Sequence, residues 1–128
     1  MLDIDMKFKH GILIVRLKGV LNNKTSHLLK TNLEETIKNN GIRYVLLNLK
    51  YLKKIDDYGL VAIESSYNEI LKNNGKLILC GANKVFKENE ILTDNLYQVS
   101  EEITAYEMIN IWKINVLFYW KMKILFTP

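Results

Sequence analysis

Twice in this chain an apolar stripe at helical spacing ends in Asn-Asn-Gly and is followed within three residues by a run that is apolar on both sides. The first stripe is Leu29, Leu33 and Ile37, flanked by Leu28, and it ends at Asn39-Asn40-Gly41. The run after it is Tyr44-Val45-Leu46-Leu47-Asn48-Leu49. The second stripe is Leu60, Ile63, Tyr67, Ile70 and Leu71, ending at Asn73-Asn74-Gly75, and the run after it is Leu77-Ile78-Leu79-Cys80. Side chains alternate across a strand, so a run apolar at every position is buried on both faces. Asn and Gly tolerate the left-handed conformation that ends a helix. The repeated order therefore predicts helices over about 25–40 and 58–74, each crossing over to the next strand of a parallel sheet.

The flanks fit around that pair. Phe8 to Lys18 reads as a strand, with Ile12, Ile14, Arg16 and Lys18 alternating with the apolar Leu13, Val15 and Leu17. His10-Gly11 is a turn before it, with Asp5 to Lys9 as a short partner. Gly19 to Lys24 reads as a loop, and Lys53 to Gly59 as a short polar crossing. Asn83 to Leu92 suits a short helix and Leu96 to Val99 a last strand. Ser100-Glu101-Glu102 opens a final helix, because Ser caps and acids suit the positive end of the helix dipole. Tyr106, Ile109 and Trp112 of that helix are expected to face the core. The expected fold is α/β, a central mixed sheet of about four to five strands with about four helices, in one domain over residues 1–112.

Residues 113–128 form an apolar C-terminal tail in which Lys121 and Lys123 interrupt the stretch Ile114 to Phe126. That stretch is shorter than the ~20 residues that span a bilayer. It is compatible with an extension of the last helix, a sticky surface, contact with a membrane interface, or no role at all.

Few chemistries fit the composition. The net charge is +4, but the basic residues are scattered among acids rather than gathered on one face, which argues against a nucleic-acid binder. Cys80 is the single cysteine, which excludes an internal disulfide, and its apolar neighbours read it as a small buried hydrophobe. His10 and His27 have no ligand-like spacing to a second His or Cys, so no metal site and no cofactor are expected. No glycine-rich phosphate cradle is present. Asp3, Asp5 and Lys7 interrupt any apolar leader, which points to a cytoplasmic protein that is not expected at a membrane unless through its tail.

One turn stands out, Ile55-Asp56-Asp57-Tyr58-Gly59-Leu60, between a central strand and a helix. Adjacent carboxylates at a helix start diverge, so Asp56 and Asp57 make no acid/base pair, and capping is their plain role. The turn also lies at the carboxyl end of a strand, where α/β sheets meet ligands and partners, and where a helix N-terminus favours an anion.

The order of these pieces resembles a family. Ile4-Asp5-Met6, Val15-Arg16-Leu17-Lys18-Gly19, Ile42 to Leu49, Ile55 to Leu60 and Gly75 to Cys80 together resemble the STAS domain of bacterial anti-sigma factor antagonists, most closely its sporulation branch acting on the anti-sigma F factor. The resemblance covers Leu2 to about Trp112. It implies a non-enzymatic regulator of transcription. Such a protein binds an anti-sigma factor of the serine-kinase type and so frees a sigma factor, and a phosphatase reverses its phosphorylation. In the family the phosphorylated serine lies in an Asp-Ser-Ser-Gly or Asp-Ser-Thr-Gly turn. On this chain the leading Asp is Asp56, the glycine is Gly59, the phosphoacceptor position is Asp57, and the second hydroxyl position is Tyr58. An Asp that the family often carries in an earlier strand-to-helix loop is matched by Asn22.

The resemblance thus implies a partner-binding surface at Asn22, Asp56, Asp57, Tyr58 and Gly59 with the acceptor lost. Asp57 is a fixed single charge, whereas phosphoserine carries about −1.5 to −2. The chain is then either held in an off-like state or is a binder that phosphorylation cannot switch. Other expectations are a scaffold-type STAS protein of a signalling complex and a small-molecule or lipid-handling STAS domain.

Overall fold

The computed structural model describes residues 1–82 and 97–126, with side chains described to residue 115. The described residues form a five-stranded sheet in the order β1-β2-β3-β4-β5. The strands are β1 (Leu2–Lys9), β2 (Ile12–Leu21), β3 (Tyr44–Ile55), β4 (Lys76–Cys80) and β5 (Tyr97–Val99). β1 pairs antiparallel with β2, and every other pairing is parallel, so the sheet is mixed. The β1–β2 connection is His10-Gly11, with φ of 52° and 78°. Two consecutive positive φ values are what a two-residue hairpin needs to match strand twist.

Both faces of β2, β3 and β4 are covered, as the apolar runs require. Leu13, Val15 and Leu17 of β2, Val45, Leu47 and Leu49 of β3, and Leu77 and Leu79 of β4 line one face. Against them pack α1 (Ser26–Leu29), a π-helical segment (Lys30–Glu34), α2 (Glu35–Asn40) and α3 (Asp57–Lys72), through Leu29, Leu33, Ile37, Ile63 and Ile70. The alternate residues Ile12, Ile14, Tyr44, Leu46, Ile78 and Cys80 line the other face, where α4 (Glu102–Phe126) covers them with Ala105 and Ile109. Tyr106 and Trp112 pack on this second cluster, as expected.

Several boundaries differ from the sequence reading. The Gly19–Lys24 loop starts late, because β2 continues through Leu21. The 53–59 crossing is shorter, because β3 continues through Ile55. Pairing between these ends shifts twice, and at each shift β3 carries one extra residue. Such bulges break the two-residue period, so Leu49, Leu52 and Ile55 fall three apart and the stretch reads as polar loop. The partner of β2 is likewise longer than Asp5 to Lys9, running from Leu2.

The first helix has a π-helical middle. Leu29, Leu33 and Ile37 repeat every four residues, which in a 3.6-residue helix drifts about 40° per step. The wider π turn winds the stripe back, and all three side chains are buried. In α3 the buried set is Gly59, Leu60, Ala62, Ile63, Ser66 and Ile70, while Leu71 is exposed. The helix expected at Asn83–Leu92, and Leu96, lie outside the described residues.

The two Asn-Asn-Gly stops work differently. After α2 it is Gly41 that turns left-handed, at φ 60°, with nothing within 4 Å of where a Cβ would stand. After α3 it is Asn74 that turns, at φ 56°. Gly75 is required there for space, since its Cβ would stand 2.0 Å from the Arg43 carbonyl oxygen. The Asn73 amide bridges the two stops, donating to Ile42 O at 2.9 Å and Ile37 O at 3.3 Å.

A polar cluster fixes the start of α4. Arg16 grips Glu102 with two bonds of 2.9 Å, and Asn48 Nδ2 donates to Glu102 Oε1 at 3.2 Å. The guanidinium bonds hold the Glu102 carboxyl below the usual carboxylate range, against the opposing effect of burial. Cys80 beneath is buried, and desolvation, with Glu102 and Glu101 adding to it, pushes its thiol up to about 12, which keeps it protonated.

Gly75→Ala should cost at least about 1–3 kcal/mol by overpacking, against about 1–2 for Gly41→Ala, which meets only left-handed strain. Urea unfolding of both variants measures the difference. Glu102 makes a second prediction. Unfolded, it titrates at the ordinary glutamate value. Its folded value is lower, so the ion pair contributes fully above that unfolded value and is lost as pH falls through the folded one. Stability of Glu102→Gln should therefore approach that of the unsubstituted chain as pH drops from 6 to 3, measured by urea titrations across that range.

Candidate functional site

Asp56 follows β3 in an extended conformation, φ −109° and ψ −174°, and caps α3. Its Oδ1 accepts from the Gly59 amide at 3.0 Å. Its Oδ2 accepts from the Asn23 amide at 3.2 Å. Its own N–H donates to Leu21 O at 3.1 Å. One carboxylate thus satisfies an otherwise orphaned helix donor and ties the β3–α3 turn to the β2–α1 turn. Gly59 is buried directly above the second turn, and a Cβ there would stand 2.6 Å from Leu21 O and 2.8 Å from Leu21 Cγ. Only glycine lets the first turn of α3 sit this low.

Asn22 organises the neighbouring turn from within. Its Oδ1 accepts from the Lys24 and Thr25 backbone amides at 2.9 and 3.2 Å. Thr25 is buried and donates from Oγ1 to Val20 O at 2.8 Å while accepting from the Asn22 amide at 2.9 Å. The Asn22 side chain is engaged in this network, which shapes the turn.

Asp57 and Tyr58 are exposed, Tyr58 at 64%. Asp57 stands in the first turn of α3, where the helix dipole favours its charge. The five residues singled out from sequence are thus gathered at the carboxyl ends of the adjacent parallel strands β2 and β3. They divide into two kinds. Asn22, Asp56 and Gly59 build the turn, and Asp57 and Tyr58 are what it presents.

Val61 joins the presented set. It is 60% exposed, one turn beyond Asp57 on the same helix face. That face continues through Glu64, Asn68 and Leu71, all exposed. The sequence carried a signal for it, since Val61 falls out of phase with the buried Leu60, Ile63 and Ile70. Asn23, which contributes only its backbone amide, left no signal in residue type. Among the described residues no group of three or more His, Cys, Asp or Glu is placed to hold a metal ion. The chemistry available here is recognition: an acidic helix start beside an exposed aromatic ring and an apolar side chain.

Comparison with known proteins adds to this geometry. The family model described as STAS domain matches residues 3–107. An anti-sigma F factor antagonist from Paenibacillus polymyxa is 34% identical over 82 residues, which are 64% of this chain and 70% of that protein. A candidate anti-sigma factor antagonist from Thermotoga maritima shares the fold at a TM-score of 0.76 and 21% identity, covering 84% of this chain and 94% of that one. The unphosphorylated form of the anti-sigma factor antagonist SpoIIAA does so at 0.71 and 14%, covering 84% and 98%.

The division of labour at the turn is measurable. Asp56→Ala should destabilise the fold by about 0.5–2 kcal/mol through loss of its cap. Asp57→Ala should stay within about 0.3–1 kcal/mol, the dipole contribution of an exposed charge. Chemical denaturation of the two variants side by side checks the difference.

Proposed function

The chain belongs to the STAS-domain family, and we propose that within it the protein acts as an anti-sigma factor antagonist whose docking turn cannot be switched by serine phosphorylation. It binds an anti-sigma factor of the serine-kinase type in the cytoplasm, releases the sigma factor held there, and catalyses nothing itself. The observation that carries this reading is the exposure of Asp57 and Tyr58 on a turn otherwise built by Asn22, Asp56 and Gly59.

The chemistry of residue 57 decides the regulation. A kinase that esterifies a serine hydroxyl finds none at 57, and the Tyr58 hydroxyl stands at the far end of a ring. A carboxylate brings one charge and two acceptor oxygens, whereas a phosphoserine brings about −1.5 to −2 and three. The single charge is also partly offset by the helix dipole beneath it. The docking surface therefore tolerates Asp57, and the repulsion that a phosphate would add is absent.

The test pairs binding with phosphorylation. The purified chain should bind the anti-sigma factor of its own genome equally well with and without ATP, and should take up no label from ATP at residues 57 or 58. Asp57→Ser should gain label and then lose affinity when ATP is present. Asp57→Asn should bind within about threefold of the unsubstituted chain. Label at 57 or 58 of the unsubstituted chain, or binding restored only by Asp57→Asn, overturns the reading.

A further inference from the structure

β1 is an edge strand. It pairs with β2 on one side, and among the described residues no strand pairs with its other side. The direction of its backbone groups follows from the hairpin. A two-residue turn makes the flanking residues, Lys9 and Ile12, a hydrogen-bonded pair, and such pairs alternate along an antiparallel ladder. The same parity holds at the far end, where the Val20 amide donates to Met1 O at 3.0 Å. The odd-numbered residues of β1 are thus bonded to β2, and Leu2, Ile4, Met6 and Phe8 aim their N–H and C=O groups outward. An edge of this kind is a template for another strand.

The side chains say which strand fits. Asp3, Asp5, Lys7 and Lys9 stand on one face of β1, all of them exposed. Ile4, Met6 and Phe8 stand on the other face. Ile4 and Met6 lie half-buried against the core, and Phe8 is 60% exposed. Charges on an edge ordinarily guard it against pairing. Here the guard is self-complementary, because two acids are followed at even spacing by two bases. A second β1 laid antiparallel, with Met6 opposite Met6, sets Asp3 against Lys9 and Asp5 against Lys7, and each contact occurs twice. On the other face Ile4 meets Phe8. In that register the outward groups of Ile4, Met6 and Phe8 face one another and exchange both backbone bonds at every pair. The neighbouring registers that keep those groups bonded fail on charge, since one sets Asp5 against Asp5 and the other Lys7 against Lys7.

We propose that β1 is a homodimerisation edge, on which a second copy of this chain adds its own β1 antiparallel about a two-fold axis at Met6. The contact is isologous and closes at two copies, because it uses up the outer side of both strands. It joins two five-stranded sheets into one continuous sheet and removes an exposed edge from each copy. A strand-to-strand contact is smaller than the ~1,600 Å² of a standard interface, so the dimer is reversible, with a dissociation constant on the order of micromolar or weaker. The axis runs β2 and β3 of the two copies in opposite directions. The two Asp57 turns therefore open at opposite ends of the joined sheet, and one dimer offers both at once. The pairing does not depend on what the Asp57 turn binds.

Sedimentation of the full chain from low-micromolar to near-millimolar concentration should show a monomer–dimer equilibrium. Met6→Pro removes an outward N–H at the axis and no bond to β2, a placement that edge strands tolerate, and should weaken the dimer at least tenfold. Charge reversal is the stricter test. Asp3→Lys, Asp5→Lys makes the edge wholly basic, and Lys7→Asp, Lys9→Asp makes it wholly acidic. Each double variant should be monomeric alone, and mixing the two should form a heterodimer at least as tight as the unsubstituted dimer. Cross-linking reads the register. Under mild oxidation Met6→Cys should form a disulfide dimer at least tenfold faster than Phe8→Cys, although Phe8 is the more exposed. Only residue 6 meets its own copy within the ~4.4–6.8 Å between Cα atoms that a disulfide needs. Cys80 is buried and does not compete. Circular dichroism checks that each variant folds. A monomer at every concentration, which leaves the edge guarded or reserved for another protein's strand, would overturn the proposal. So would a dimer indifferent to Met6→Pro, no association of the mixed charge variants, or Phe8→Cys cross-linking as fast as Met6→Cys.

Discussion

Burial of the central strands on both faces is the constraint from which the rest follows. β3 has no polar face between Tyr44 and Leu47, so helices must cover it on both sides. α1 to α3 cover one side and α4 the other. Once a parallel sheet is enclosed this way, each crossover helix begins at the carboxyl end of a strand. The start of α3 is thereby delivered beside the β2–α1 turn. The proposed recognition surface occupies the place that the layering leaves open.

Within that surface, two neighbouring aspartates illustrate how position divides labour between like residues. Asp56 is drawn into the backbone, accepting from Gly59 and Asn23 while its amide reaches Leu21. Asp57, one residue on, points away from all of this and is free to meet another molecule. A shift of one residue in the start of α3 would exchange these roles. The tight seat of Gly59 on Leu21 is what prevents that shift.

Much of this was legible in the sequence. The apolar runs revealed the parallel core, the Asn-Asn-Gly stops revealed both helix ends, and the His10-Gly11 turn revealed the hairpin. The gathering of Asn22, Asp56, Asp57, Tyr58 and Gly59 followed from topology once the resemblance was drawn. Bulges in β3 change the local period, so a reading tuned to two residues loses phase there. The pairing of Arg16 with Glu102 left no signal, because the two are far apart along the chain and such a pairing has no local signature. Asn23 acts through its backbone, where one residue type looks like another.

The Asn73 side-chain amide holds the carbonyls of Ile37 and Ile42 together, so the exposed last turn of α2 and its cap Gly41 are clasped at both ends. A span of that kind can be lengthened without moving what lies on either side, because loop closure grows costly only slowly with length. The corresponding span after α3 has no such freedom, since Gly75 is wedged against Arg43. An epitope or a fluorophore-bearing peptide intended to follow this protein in a cell thus has a natural point of entry at residue 40. The same graft thirty-four residues later would pry the sheet apart.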